Sequence, residues 1–156
     1  MKYYTLLLAI FLLNSCCASK KAVNTLDNQN PITKKTLQNN DTTIEYSAST
    51  RGYFLSIAVN EELISIQNER DGKIVTKPCS EEIWSNLTTV LSAIDLTTIS
   101  DLKAPTDARQ YDGAPFGLLK IKQADNTYQS SNFDHGFPPE EIKALVELIL
   151  SLDEKG

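Results

Sequence analysis

The chain has few of the residues from which most catalytic and metal sites are built: of its 156 residues, one is histidine, three are cysteine and one is tryptophan. The GxGxxG, Walker phosphate-loop, GxSxG and HExxH patterns are all absent from it. With a single histidine, a zinc site would need several carboxylates or Cys79, and no ligand spacing indicates one. Asp107 and Asp112 lack the alternating acidic run of a calcium loop. The sequence therefore predicts no metal and no cofactor.

A long hydrophobic run and an excess of positive charge are also missing. A transmembrane helix needs roughly 20 apolar residues, and the apolar run at residues 3–13 has eleven. After residue 43 the chain carries a net charge of −8, whereas residues 16–43 carry +2. Nucleic-acid binding requires a cationic surface, so the composition argues against nucleic acid as a partner. It also argues against a domain that lies flat on anionic lipid.

The first residues have the order of a secretory signal, with Lys2 followed by the apolar run. The run ends in Leu13, Asn14, Ser15 and Cys16, which resembles the lipobox of bacterial lipoproteins. The resemblance implies that residues 1–15 are a signal peptide and that the Cys16 thiol receives a diacylglycerol. The protein would then be held on a membrane of the cell envelope, the outer membrane being favoured, with its domain in the periplasm or at the cell surface. The alternative is an ordinary secretory signal that is cut near Ala18.

Residues 16–43 are predicted to be a disordered tether, because residues 22–43 are rich in Asn, Thr and Gln and contain no aromatic residue. The rest, residues 44–156, has the length of one domain with its own core. If Cys16 is lipidated, Cys17 and Cys79 remain as one candidate disulfide pair. Nothing in their spacing requires the bridge, so this alternative stays open.

Alternation of apolar and polar residues predicts about six strands. They begin at Ile44, Tyr53, Leu63, Lys73, Phe116 and Thr127, and the first four form an antiparallel meander. Gly72 is expected to supply a positive φ in the tight turn before the fourth strand. Residues 95–115 show no clear period and are predicted to be a long loop.

Two helices are predicted from apolar residues at helical spacing. Ser80 is the expected N-cap of the first, with Trp84 as its largest buried group. Pro139 opens the second, whose buried stripe is predicted to be Ile142, Leu145, Val146, Ile149 and Leu152. The predicted fold is α+β, an antiparallel sheet with both helices packed on one face. Two Glu-Glu-Ile helix starts, at an offset of 59 residues, indicate either a ββα duplication or two helices that obey the same start rules.

A set of polar residues is the candidate binding site: Arg51, Asp107, Arg109, Asp112, Asp134 and His135. They either form a recognition patch at one rim of the sheet or fasten the long loop to the second hairpin, and we favour fastening. The segments 104–106, 111–114 and 133–136 resemble small lipoproteins of Bacteroidota, a resemblance that implies no activity.

Three functions are consistent with these features. The first is a non-enzymatic binding or accessory lipoprotein that meets an envelope protein or ligand. The second is an envelope hydrolase or thiol enzyme in which His135 activates Cys79, both preceding helices whose N-termini share one end of the sheet. The third is an inhibitor of a secreted enzyme that inserts the long loop as a wedge.

Overall fold

The computed structural model describes residues 41–154, which form an α+β domain with an open antiparallel sheet, as the sequence predicts. The strands of these residues are β1 (Thr42–Ser49), β2 (Phe54–Val59), β3 (Leu63–Gln67), β4 (Val75–Pro78), β5 (Phe116–Gln123), β6 (Asn126–Gln129) and β7 (Phe133–Asp134). The helices are α1 (Glu81–Ser92) and α2 (Glu140–Glu154). The strand order is β4-β3-β2-β1-β5-β6, and β7 pairs with β5. The predicted signal peptide, Cys16 and all but the end of the tether lie outside the described residues, and β1 takes in Thr42 and Thr43.

The core lies on one face of the sheet, because alternate residues of a strand point to the same side. Tyr46 of β1 stands opposite Ile57 of β2 and Leu119 of β5, and all three are fully buried. The predicted stripe of α2 is confirmed, since each of its five residues is at most 3% exposed. Burying an aliphatic side chain of this size contributes roughly 1.5–3 kcal/mol. This one covered face is therefore the main source of stability.

Helix α1 begins as predicted, with the Ser80 side chain accepting a hydrogen bond from the Ile83 N–H at 3.2 Å. The prediction for Trp84 is wrong, because its side chain is only partly buried. Leu87 and Leu91 are the buried residues of this helix. The physical reason is that α2 packs on β2 while α1 packs beside α2, so only a narrow stripe of α1 reaches the core.

Gly72 is needed because a side chain at this position would not fit. The prediction that it supplies a positive φ is wrong. Among the described glycines only Gly136 has a positive φ, of 83°. A Cβ on Gly72 would lie 2.7 Å from the Cβ of Glu69, whose carbonyl accepts the Gly72 N–H at 3.0 Å. This turn is longer than predicted, so β4 begins at Val75.

The two helices are antiparallel, because the start of α1 lies beside the end of α2. Ser80 and Ile83 line the same crevice, of about 280 Å³, as Leu148 and Leu152. The expectation that the two helix N-termini share one end of the sheet is therefore wrong. The two helices begin 59 residues apart, at Glu81 and Glu140. In a ββα duplication the same offset would place the counterpart of β4 at residues 134–137, but only Asp134 of these lies in a strand. Duplication stays a prediction that rests on the helix starts.

Candidate functional site

Asp134 fastens the long loop to the sheet. It ends β7, where it pairs with Phe116 of β5, and its side chain is 1% exposed. Its carboxylate accepts the Ala108 N–H at 2.7 Å, the Arg109 N–H at 3.0 Å and the Arg109 Nη1 at 3.0 Å. These donors belong to the start of a 3₁₀ turn, Ala108–Tyr111. One buried carboxylate thus fixes the conformation of the loop tip.

The contacts of Asp134 keep it ionised. Burial raises its pKa, but hydrogen bonds from Thr106, Arg109 and Ala108 outweigh burial and lower the pKa to about 2. Arg109 is held in turn by the Thr106 carbonyl, which accepts its Nη1 at 2.6 Å, and the Arg109 side chain is 13% exposed. Nη1 of this guanidinium therefore donates to the protein twice, and little of the side chain reaches solvent.

His135 lies between two tyrosines, neither of which belongs to the polar set predicted from the sequence. Its Nδ1 is 2.6 Å from the Tyr46 hydroxyl and its Nε2 is 3.1 Å from the Tyr53 hydroxyl. Tyr46 is fully buried and the Gly136 backbone acts on its oxygen as a donor that lowers its pKa, so we assign the Tyr46 proton to Nδ1. The proton of the neutral ring is then on Nε2, which donates to Tyr53.

This arrangement favours the neutral forms of both groups, the buried Tyr46 and the partly buried His135. Burial lowers the pKa of His135. Burial, followed by the charge on Tyr53, raises the pKa of Tyr46 well above its ordinary value. Because Tyr53 accepts from Nε2, its own hydroxyl proton remains for another acceptor. Tyr53 is 38% exposed, so that acceptor can come from solvent or from a ligand.

The remaining residues of the predicted set are exposed. Asp107 and Asp112 flank the 3₁₀ turn, with Asp112 in the left-handed region at φ 57°. Arg51 lies apart from them in the connection between β1 and β2, where it lines a separate cleft with Tyr53 and Arg70. The structure thus brings Asp107, Arg109, Asp112 and Asp134 together around one turn, sets His135 beside them and leaves Arg51 elsewhere.

Three exposed aromatic residues, which we name the aromatic rim, are connected to the backbone around Asp134: Tyr111, Phe116 and Phe137. Their side chains are 78%, 42% and 61% exposed, respectively. Phe116 pairs with Asp134, the Phe137 N–H donates to the Asp134 carbonyl at 2.8 Å, and Tyr111 ends the turn that Asp134 holds. Exposed aromatic residues held at one place on a surface are typical of interaction sites. Phe116 and Phe137 each stand between a Gly and a Pro in the sequence, and Tyr111 has no such neighbours, so the sequence gives no common signal for the three.

The loop also borders an open polar cleft of about 560 Å³ between residues 102–110 and the connection from β6 to β7. Ser131 closes one side of it by donating its hydroxyl to the Leu102 carbonyl. Arg109 and Asp107 line the other side. The cleft is therefore part of the same surface as the clamped turn.

Cys79 is remote from His135. It follows the edge strand β4, where its N–H donates to the Glu62 carbonyl at 2.8 Å. The strands β3 and β2 separate β4 from the strand of Tyr46, a distance of roughly 14 Å at the usual strand spacing. Burial also raises the pKa of the Cys79 thiol, opposite to what a nucleophile needs. The candidate disulfide partner, Cys17, lies outside the described residues.

In residues 41–154, no three His, Cys, Asp or Glu side chains are grouped so that they could hold a metal ion. Within the same residues, neither helix has the length and apolar character that crossing a membrane requires. The chain matches no protein-family model, no curated protein and no solved structure.

Proposed function

We propose that the protein is a lipid-anchored module of a bacterial cell envelope that binds another envelope component and does not transform it chemically. In this proposal Cys16 carries the anchor, the residues up to 43 act as a spacer, and the aromatic rim with its flanking acidic residues is the binding surface. The supporting evidence comes from the leader sequence for the anchor and from the geometry around Asp134 for the surface.

The observation that carries the binding proposal is the burial of Asp134 under a turn whose far end is exposed. Ordering a loop costs conformational entropy, and a loop that is already ordered avoids this cost on binding. Asp134 orders the turn through three hydrogen bonds of 2.7 to 3.0 Å, while Tyr111 at its end is 78% exposed. An aromatic ring in this position can bury a large area at low entropic cost.

The charge around the aromatic rim indicates the character of the partner. Asp107 and Asp112 flank the turn that ends at Tyr111, and Glu140 and Glu141 follow Phe137. All four are exposed. Complementary potentials favour association, so the partner surface is expected to combine an apolar centre with basic residues around it.

The anchor is tested by metabolic labelling with palmitate. The Cys16→Ser variant should lose the label, whereas Cys17→Ser, which removes the adjacent thiol, should retain it. A label that persists in Cys16→Ser, or a native protein that begins at another residue, contradicts the anchor. The experiment is independent of the fold and of the partner.

The binding surface is tested by photo-crosslinking in intact cells, with a photoreactive amino acid at Gln110, which is exposed beside Tyr111. A discrete adduct should form and should weaken in the Phe137→Ser variant. Ile74→Ser is the matched control, because Ile74 is 62% exposed against 61% for Phe137 but lies in the turn before β4. Equal adduct formation in both variants would contradict the proposal.

A second candidate, inhibition of a secreted enzyme, is favoured by the high exposure of Tyr111 at the end of a clamped turn. An inhibitor would use the same binding surface as the first candidate, but its partner would be an enzyme. If the crosslinked partner is an enzyme, adding the purified protein should lower its activity, and the Tyr111→Ser variant should restore that activity. The thiol enzyme receives no support from the positions of Cys79 and His135.

A further inference from the structure

A second polar site lies in the cleft between the β1–β2 connection and the residues that follow β3. The cleft has a volume of about 230 Å³, and the side chains of Arg51, Tyr53, Glu69 and Arg70 are among its lining. Two of the three arginines of the chain line this cleft. In a domain with a net charge of −8, two guanidinium groups at one cleft are an unusual local concentration of positive charge.

The two guanidinium groups are held differently. Arg70 is fixed, since its Nη2 donates to the Thr50 carbonyl at 3.2 Å and its Cζ lies 5.6 Å from the centre of the Phe54 ring. Arg51 makes no hydrogen bond or ion pair with any residue of the described part of the chain. Toward the described part of the chain, most of the five donors of each group are thus unpaired, and a guanidinium donates to a carboxylate through two parallel hydrogen bonds.

Tyr53 adds a third donor, because its hydroxyl accepts one hydrogen bond and can donate another. Its oxygen accepts from His135 Nε2 at 3.1 Å, so its own proton is free to be donated. The Tyr53 ring is held by the His135 ring, whose centre is 5.2 Å away. The site therefore combines one fixed guanidinium, one available guanidinium and one oriented hydroxyl.

We propose that this cleft binds a carboxylate group, with Arg51 and Arg70 as its guanidinium donors and Tyr53 as its hydroxyl donor. Glu69 in the lining offsets one of the two positive charges, so the lining residues carry a net charge of +1. Asp153, outside the lining, acts electrostatically on Tyr53 and lowers the local potential further. This weak positive potential favours a singly charged carboxylate over a doubly charged phosphate. Two sources supply such a group in a cell envelope, the C-terminus of a peptide and a uronic acid of a glycan.

The test uses the full-length chain in detergent micelles with ¹⁵N-labelled arginine, which gives three side-chain Nε–H resonances. N-acetylalanine and galacturonate are titrated as carboxylate probes, against N-acetylalaninamide and galactose as their uncharged counterparts and against inorganic phosphate. Arg109 is the internal control, because its guanidinium is bound to Asp134. The resonances of Arg51 and Arg70 should shift with at least one carboxylate probe, and the tighter probe identifies the source.

Variants make the assignment specific. Arg51→Gln should weaken binding about tenfold, as the loss of a charged hydrogen bond predicts, and Tyr53→Phe should weaken it severalfold. Lys122→Gln is the matched control, since it removes one positive charge at the other end of the sheet, where Lys122 pairs with Thr43 at the start of β1, and should leave binding unchanged. The proposal is overturned if no carboxylate probe shifts the two resonances, if the uncharged counterparts or phosphate bind equally well, or if Arg51→Gln has no effect.

Discussion

At the scale of single residues, Asp134 is the side chain on which the loop depends. Replacing it with Asn keeps the shape but removes the charge, and a donor that faced a carboxylate oxygen then faces an amide NH₂ group. Breaking a buried, hydrogen-bonded charge pair costs about 3 kcal/mol or more. We expect Asp134→Asn to lower the free energy of unfolding by this amount at pH 7, as measured by urea denaturation. Asp125→Asn, at an exposed hairpin turn, is the control and should change it little.

The low pKa of Asp134 also predicts how stability depends on pH. A carboxyl whose pKa is lower in the folded state contributes stability above its unfolded pKa, 3.8, and loses it as the pH falls toward about 2. The contribution is on the order of 2 kcal/mol. Stability should therefore fall across this range in the natural protein and fall less in Asp134→Asn. Parallel curves for the two proteins would show that another carboxyl is responsible.

His135 is the second residue with a specific prediction. Protonation of its Nδ1 would remove the only acceptor of the buried Tyr46 proton among the described residues. Its pKa should thus be below the ordinary 6.5, and stability should begin to fall as the pH decreases below 6.5. An NMR titration of the ring resonances measures this pKa directly. A value above 6.5 would contradict the tautomer and the hydrogen bonds described above.

At the scale of elements, β5 must remain free of a side chain at Gly117. A Cβ there would lie 2.9 Å from the Phe133 ring and 3.1 Å from the Tyr46 hydroxyl, and both side chains are fully buried. We expect Gly117→Ala to lower the free energy of unfolding by about 1–3 kcal/mol, because neither side chain has space into which it can move. Thermal unfolding followed by circular dichroism measures the change.

The control for this substitution is Gly52→Ala. An added Cβ at Gly52 meets no atom within 4 Å. Its effect should be near zero or slightly stabilising, since alanine has less conformational freedom when unfolded. The element-scale conclusion would be wrong if Gly117→Ala and Gly52→Ala had the same melting temperature.

At the scale of the whole molecule, the excess of negative charge opposes folding. Like charges repel in the compact state, and salt screens that repulsion. The ion pairs of Glu45 with Lys120 and Lys122 are partly exposed and are worth roughly 0–1 kcal/mol, so screening them costs little. The melting temperature should therefore rise between about 10 mM and about 1 M sodium chloride. At pH 4, where many carboxyls are neutral, the rise should be smaller.

The sequence by itself determined the features that arise from local periodicity. The buried stripe of α2, the Ser80 cap and the start of β5 at Phe116 follow from residues that are neighbours along the chain, and each is present in the structure as predicted. Alternation and helical spacing report which face of an element is apolar, because burial is favourable only for apolar surface. The α+β class followed from the order of these elements.

Only the tertiary structure decided which elements meet and what the polar residues contact. His135 bonds to Tyr46 and Tyr53, which are 89 and 82 residues earlier in the chain, and Asp134 holds a turn about 25 residues before it. The antiparallel helices separate Cys79 from His135 and leave Trp84 partly exposed. A hydrogen bond between distant residues leaves no periodic signal in the sequence, since it depends on strand order and helix direction, which the packing of the whole core selects.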